Sequence, residues 1–157
     1  MRVAARYHNG FTMLEVVVVI AIVAVLAAIA IPRLSRGSAG AEEAALEKSL
    51  AVLRRAIELY AAEHLGKYPL VASIDGQLTQ YTDEAGKVRI APDTTHIYGP
   101  YLRDIPPLPV GRRKGNTKIA LNDAVDVGWL YRPADGHIWA NTGSNELSAS
   151  GVRFLKF

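Results

Sequence analysis

Sixteen consecutive apolar residues, Val16 to Ile31, constrain this chain more than any other feature of its sequence. Counted from Phe11, the segment holds 21 residues. As a helix it rises ~1.5 Å per residue and covers roughly 30 Å, the thickness of the hydrocarbon core of a bilayer. The pattern predicts a membrane-spanning helix over residues 11–31 with a single acid, Glu15, near its start.

Glu15 needs a chemical explanation. A carboxylate inside hydrocarbon costs about 2.5–3.5 kcal/mol on insertion scales, and such residues mark functional sites with a charged partner. An acid that snorkels to the interface, or that is protonated, is the alternative. The position of Glu15 therefore raises the question of which cation neutralises it.

The segment Gly10-Phe11-Thr12-Met13-Leu14-Glu15, together with the apolar run and Pro32, resembles the processing site of type IV prepilins and of the pseudopilins of type II secretion. The resemblance implies that residues 1–10 are a leader, which prepilin peptidase removes by cutting after Gly10. It also implies N-methylation of the new amino group on Phe11, a role for Glu15 in assembly, and a helix kink at Pro32.

This implied processing supplies the missing cation. Cleavage creates a positively charged amine on Phe11, and a staggered neighbouring subunit could place that amine beside Glu15. Removing one partner of such a pair leaves the other uncompensated, at roughly 3–5 kcal/mol. The expected partners are further copies of the chain, other pilin-like subunits, prepilin peptidase, an inner-membrane assembly platform and membrane lipid.

Two other interpretations of the apolar run stay open on hydropathy. A secretory signal peptide has a basic start, an apolar core of ~7–15 residues and a small-residue cut site, for which Ala28-Ile29-Ala30 would serve. A single-pass anchor without processing is the second. In either membrane-bound case, the short basic leader favours a cytoplasmic amino terminus and a periplasmic domain.

Composition limits the remainder to one modest domain. Roughly 125 residues follow the apolar segment, enough for one core. From Phe11 onward sixteen Lys and Arg stand against fifteen Asp and Glu, so no nucleic-acid partner is expected. Cysteine is absent, which excludes disulfides and thiolate metal sites. Many type IV pilins close their C-terminal region with a disulfide, so the absence of cysteine makes the resemblance to pseudopilins the stronger one.

A second periodic segment begins at Ala41. Its apolar residues repeat at intervals of four and three, which predicts an amphipathic helix that ends at Gly66 and Pro69; they are Leu46, Leu50, Leu53, Ile57 and Tyr60. Pro32 and the glycines of residues 37–40 separate the two helical halves and predict a kinked or meltable junction over residues 32–40. The globular domain then covers residues 41–157.

Shorter signals follow. The spacing of Ile74, Leu78 and Tyr81 predicts a brief helix, and the proline-punctuated segment 98–109 is incompatible with a helix interior or a central strand. Strands are predicted over 118–121, 128–132 and 137–141, with a turn over 133–136 and a closing strand over 152–155. We expect an α+β fold of the type IV pilin kind: a long N-terminal helix, half in the membrane and half amphipathic, packed on a small antiparallel sheet through Trp129, Tyr131, Ile138 and Trp139.

Chemical motifs do not support an enzyme. The four histidines lack metal-ligand spacing, and no nucleotide-binding or nucleophile motif is present; His64 is predicted to be a packing or surface residue. Loop 141–148 offers oxygen ligands of the kind calcium prefers, from Asn141, Asn145 and Glu146. It holds one carboxylate, whereas calcium-binding major pseudopilins carry an Asp-rich loop there. We therefore predict no cofactor and leave calcium as an open option.

The function predicted is that of a structural subunit of a pilus-like filament, with a type II secretion pseudopilin preferred over a type IV pilus subunit for adhesion, motility or DNA uptake. The alternative of another class is a membrane-anchored periplasmic binding module that does not polymerise. Its contact surface would be the loop from Asp83 to Asp93 or the basic cluster from Arg112 to Lys114. For the basic cluster, a solvated loop is the preferred explanation.

Overall fold

The structure is a computed structural model that describes residues 12–143, 145–148, 151, 153, 154 and 157, apart from the side chains of residues 29–39. The chain divides into two compact units, Met1–Ser38 and Ala39–Phe157. Helix α1, Met13–Glu63, contributes residues to both. Pro32 lies within α1. The kink or melting expected over residues 32–40 stays a prediction.

In the first unit, α1 exposes apolar side chains on every side. Each large apolar residue from Met13 to Leu26 is at least 47 % exposed. A helix that is apolar all round is typical of a buried environment, so these side chains need a cover that the described residues of one copy do not provide. Within the described residues, no helix combines the length and the apolar character required for a membrane crossing.

In the second unit, α1 buries the predicted stripe. Leu46, Leu50, Leu53, Ile57 and Tyr60 are all at most 3 % exposed and belong to the hydrophobic core. The helix then ends at a left-handed cap. Gly66 has φ +78° and its N–H donates to the Ala61 carbonyl at 2.8 Å, as predicted for this glycine. Leu65 also has a positive φ, which the sequence did not indicate.

The chain next forms helix α2, Ile74–Thr79, where the spacing predicts it. The chain then forms an antiparallel hairpin of strands β1, Tyr81–Thr82, and β2, Val88–Arg89, which the sequence did not indicate. Two-residue strands leave too little alternation for a sequence pattern to reveal them.

Strands β3, Lys118–Ala120, β4, Val127–Arg132, and β5, His137–Ala140, lie within about one residue of their predicted bounds. Their sheet is mixed rather than antiparallel as expected, because β3 pairs with β4 in parallel and β4 with β5 antiparallel. A three-residue strand is only ~10 Å long, so the six-residue connection, which spans up to ~20 Å, can return the chain to the starting end.

The inner face of the sheet closes the core. Trp129, Tyr131 and Ile138 are completely buried, as predicted. Trp139 is not among the core residues; it is half-buried, and its ring lies 5.3 Å from that of His137. Successive side chains of a strand point to opposite faces, so Ile138 and Trp139 cannot both face the helix. The assignment of Trp139 to the core was therefore wrong.

The proline-punctuated segment 98–109 wraps the core without regular structure, as expected. The Trp129 Nε1–H donates to the Pro106 carbonyl at 2.8 Å, and the backbone N–H groups of Tyr101 and Leu102 donate to the Leu78 carbonyl. Of the predicted closing strand 152–155, Val152 and Leu155 lie outside the described residues, and Arg153 forms an isolated bridge with Leu147.

We predict that Leu53→Ala lowers the free energy of unfolding by about 2–5 kcal/mol, since Leu53 is fully buried. The neighbouring Val52 is 40 % exposed, so Val52→Ala should change it by less than about 0.5 kcal/mol. Chemical denaturation of the full chain in detergent, followed by tryptophan fluorescence, measures both. Equal losses in the two variants would contradict the assignment of the core stripe.

Candidate functional site

The start of α1 is the first candidate site. Thr12 precedes the helix, and its Oγ1 accepts a hydrogen bond from the Glu15 N–H at 3.2 Å; the Thr12 carbonyl accepts one from the Val16 N–H at 3.2 Å. Thr12 is therefore the N-cap, and Glu15 occupies the third helical position. At this position its negative charge interacts favourably with the positive end of the helix dipole.

This local geometry gives Glu15 a second possible role beside the intermolecular one. Thr-x-x-Glu ahead of an apolar run is the capping-box pattern, in which both side chains satisfy backbone donors of the first turn. The spacing of Thr12 and Glu15 in the sequence is sufficient to predict this cap, which the sequence analysis did not include. Gly10 and Phe11 lie outside the described residues, and their processing stays a prediction, as does the assembly role of Glu15.

His64 is buried near the end of α1 and packs, as predicted. Its ring stacks on Tyr60 at 3.8 Å between centroids. Its Nδ1 lies 2.8 Å from the Tyr60 carbonyl oxygen, while its Nε2 lies 3.0 Å from the Asp83 carbonyl oxygen and 3.1 Å from Thr82 Oγ1. The imidazole thus joins the helix end to the β1–β2 hairpin.

Neighbouring phenols are held neutral by the same surroundings. Burial, and secondarily the charge of Asp83, raises the pKa of Tyr60. Burial also raises the pKa of Tyr101, whose hydroxyl donates to Glu63 Oε2 at 2.6 Å. Neither phenol titrates near neutral pH, and Tyr101 serves as a hydrogen-bond donor at the edge of the core.

His96 belongs to a second local network. Its Nδ1 lies 3.0 Å from Asp93 Oδ1, which also accepts hydrogen bonds from the backbone N–H groups of His96 and Thr95. These backbone donors are the main reason that the pKa of Asp93 is well below its usual range. Arg89 pairs with the other oxygen at 2.8 Å, so the network fixes the loop after β2.

The basic cluster from Arg112 to Lys114 is paired within its own domain. Arg113 Nη2 lies 2.9 Å from Asp123 Oδ1, and Lys114 Nζ lies 2.6 Å from Glu42 Oε1. Arg112 contacts acids at 3.8–3.9 Å. The turn that carries these residues is therefore tied to α1 and to two loops.

The proposed calcium ligands are partly engaged in other contacts. The Asn141 side-chain N–H₂ donates to Asp123 Oδ1 at 2.9 Å and to the Val127 carbonyl at 2.8 Å, whereas Asn145 is exposed. Glu146 Oε1 accepts a hydrogen bond from the Arg112 N–H at 3.3 Å. Across the described part of the chain, no three His, Cys, Asp or Glu residues cluster closely enough to hold a metal ion.

Comparison with known proteins concerns the first of these sites. Residues 5–31 match the family described as the prokaryotic N-terminal methylation motif, which is typical of type IV prepilin-like proteins. Such a motif implies processing by prepilin peptidase and pilin-like polymerisation. No curated protein and no solved structure matches the chain.

We predict that Thr12→Ala accelerates hydrogen exchange at the Glu15 amide, because the cap that this amide donates to is lost. An N-cap contributes about 0.5–2 kcal/mol, so exchange should rise several-fold. Thr12→Ser retains the accepting oxygen and should restore slow exchange. NMR of the full chain in micelles measures the exchange rate of the Glu15 amide. Identical rates in the wild type, Thr12→Ala and Thr12→Ser would argue against the cap.

Proposed function

We propose that this chain is the precursor of a pilin-like structural subunit. Prepilin peptidase cuts after Gly10 and methylates Phe11, the helix over residues 11–31 holds the protein in the inner membrane, and the mature chains then pack into a helical filament. The observation that carries this proposal is the match of residues 5–31 to the methylation motif, of which residues 13–31 lie in helix α1.

The exposed surface of α1 supports anchoring followed by assembly. From Met13 to Leu26 its large apolar side chains are uncovered in a single copy, and the apolar run of the sequence continues to Ile31. Lipid before assembly and neighbouring helices afterwards would both remove this surface from water, at roughly 25 cal/mol per Å² of apolar area. The same helix would therefore serve as anchor and as filament contact.

Within the pilin-like class, we propose a pseudopilin of a type II secretion system. The chain has no cysteine, whereas many type IV pilins close their last region with a disulfide. Segment 99–106, with Gly99-Pro100-Tyr101-Leu102 and Ile105-Pro106, resembles the corresponding stretch of major pseudopilins. In this domain the stretch is held by backbone hydrogen bonds to Leu78 and by a hydrogen bond from the Trp129 side chain to the Pro106 carbonyl.

Processing is tested by mass spectrometry after co-expression with a prepilin peptidase. We expect the mature amino-terminal peptide to begin at Phe11 and to carry the mass of one added methyl group. Gly10→Val should leave the leader attached, because a side chain is introduced at the residue that precedes the cut, while Gly40→Ala serves as a glycine control away from it.

Other starting residues would overturn the proposal in distinct ways. A peptide that begins at Ile31 indicates signal peptidase, and a chain that keeps Arg2 indicates a simple anchor, as in the binding-module alternative. In a host that encodes the protein, deletion of its gene should block export of secreted proteins while pili persist. The reverse result would identify a pilus subunit.

We predict that Glu15→Ala and Glu15→Gln both insert into the membrane but form no filaments. Each variant removes the charge that would meet the amine of Phe11 in a neighbouring subunit, and an unpaired buried charge costs roughly 3–5 kcal/mol. Membrane fractionation measures insertion, and electron microscopy of sheared fibres measures assembly.

Glu58 provides the control, since it lies exposed on the same helix in the second unit. Glu58→Ala should therefore assemble normally. Normal fibres from Glu15→Gln would remove the proposed ion pair and leave only the helix-capping role of this residue.

A further inference from the structure

The loop over residues 141–148 is bordered by two carboxylates and two guanidinium groups. Asp123 Oδ1 lies 2.9 Å from Arg113 Nη2, and Asp123 Oδ2 lies 3.8 Å from Arg112 Nη2. Glu146 Oε1 lies 3.9 Å from Arg112 Nε and accepts a hydrogen bond from the Arg112 N–H. Because two negative charges face two positive ones, the cluster is already balanced.

Burial shows which of these contacts is the stronger. The Arg113 side chain is only 14 % exposed, so its pairing with Asp123 is shielded from water more than that of Arg112, which is 61 % exposed. Asp123 also accepts a hydrogen bond from the Asn141 side chain at the first residue of the loop. That bond, followed by the pairing with Arg113 and Arg112, lowers the pKa of Asp123.

Some loop oxygens are of the type a calcium ion would bind. Among the described residues, Thr142 Oγ1 and Glu146 Oε2 are buried without a hydrogen-bond partner. Glu146 Oε2, however, packs against the backbone of Gly111, where a Cβ atom would collide with it, and Gly111 has φ +70°. This oxygen therefore faces the basic turn rather than an open coordination position.

The charges also disfavour a divalent ion. Calcium sites in proteins combine several oxygens with carboxylates whose charge is uncompensated. Here Arg112 lies within 4 Å of both acids and Arg113 lies 2.9 Å from Asp123, while Arg113 Nε is buried without a partner among the described residues. Like charges at such distances repel, most strongly where water is excluded. The donor set does not fit calcium.

We propose that Arg112 and Arg113 are the built-in counter-ions of this loop and do the work that a bound calcium ion does in calcium-stabilised major pseudopilins. Loop 141–148, as far as the structure describes it, is thus held by Arg113 through Asp123 and Asn141, and by Arg112 through Glu146. Its conformation does not depend on a metal ion. These contacts lie within the globular domain and do not require the chain to form filaments.

Cleavage by an endoproteinase specific for glutamate tests this proposal on the full chain in detergent, with the cut after Glu146 followed by mass spectrometry. We expect the wild-type protein to be cut at the same rate in millimolar CaCl₂ and in chelator. Arg113→Gln should be cut roughly three- to tenfold faster, because loss of the counter-ion increases the open population of the loop.

Lys114→Gln is the matched control, since it removes the same charge from the adjacent residue but breaks the pairing with Glu42 instead. It should be cut at the wild-type rate. Tryptophan fluorescence reports whether each variant remains folded, and Arg112→Gln replaces Arg113→Gln if the latter does not. Slower cleavage or a higher melting temperature of the wild type in calcium would overturn the proposal, as would equal cleavage of Arg113→Gln and Lys114→Gln.

Discussion

Burial of one stripe of α1, from Leu46 to Tyr60, against the inner face of β4 and β5 supplies the hydrophobic free energy on which the rest of the globular domain depends. Each fully buried large apolar side chain contributes about 1.5–3 kcal/mol relative to its exposed state. The chain has no cysteine, so no disulfide supplements this packing. Loops that carry little apolar surface of their own must therefore attach to the core by hydrogen bonds and ion pairs.

These attachments use polar atoms of residues that are already buried. The Trp129 indole binds the carbonyl of Pro106, and the Tyr131 hydroxyl binds that of Pro69 at 3.1 Å. His64 connects the helix end to the hairpin in the same manner. Prolines lack a backbone donor but keep a free acceptor, and the large core side chains use that acceptor to hold segments that cannot join the sheet.

Segments with strong apolar periodicity were predictable from the sequence, whereas the pairing of short strands was not. The helix stripe, the α2 spacing and the three strands of the larger sheet emerged because each repeats an apolar pattern over several residues. The parallel pairing of β3, the β1–β2 hairpin and the outward face of Trp139 depend on tertiary contacts between short segments. At the candidate site the motif from Gly10 to Glu15 was recognisable, whereas the pairing of Arg112 and Arg113 with Asp123 and Glu146 depends on how separate loops meet in the folded domain.

Thr12, the N-cap of α1, directly follows Phe11 in the sequence. A chain trimmed to Phe11 would carry its cationic end group beside the positive pole of its own helix, where a like charge costs about 0.3–1 kcal/mol. Methylation leaves that charge in place. Cleavage would thus place two like charges, the new amine and the positive end of the helix dipole, close together, and a carboxylate near both would offset them.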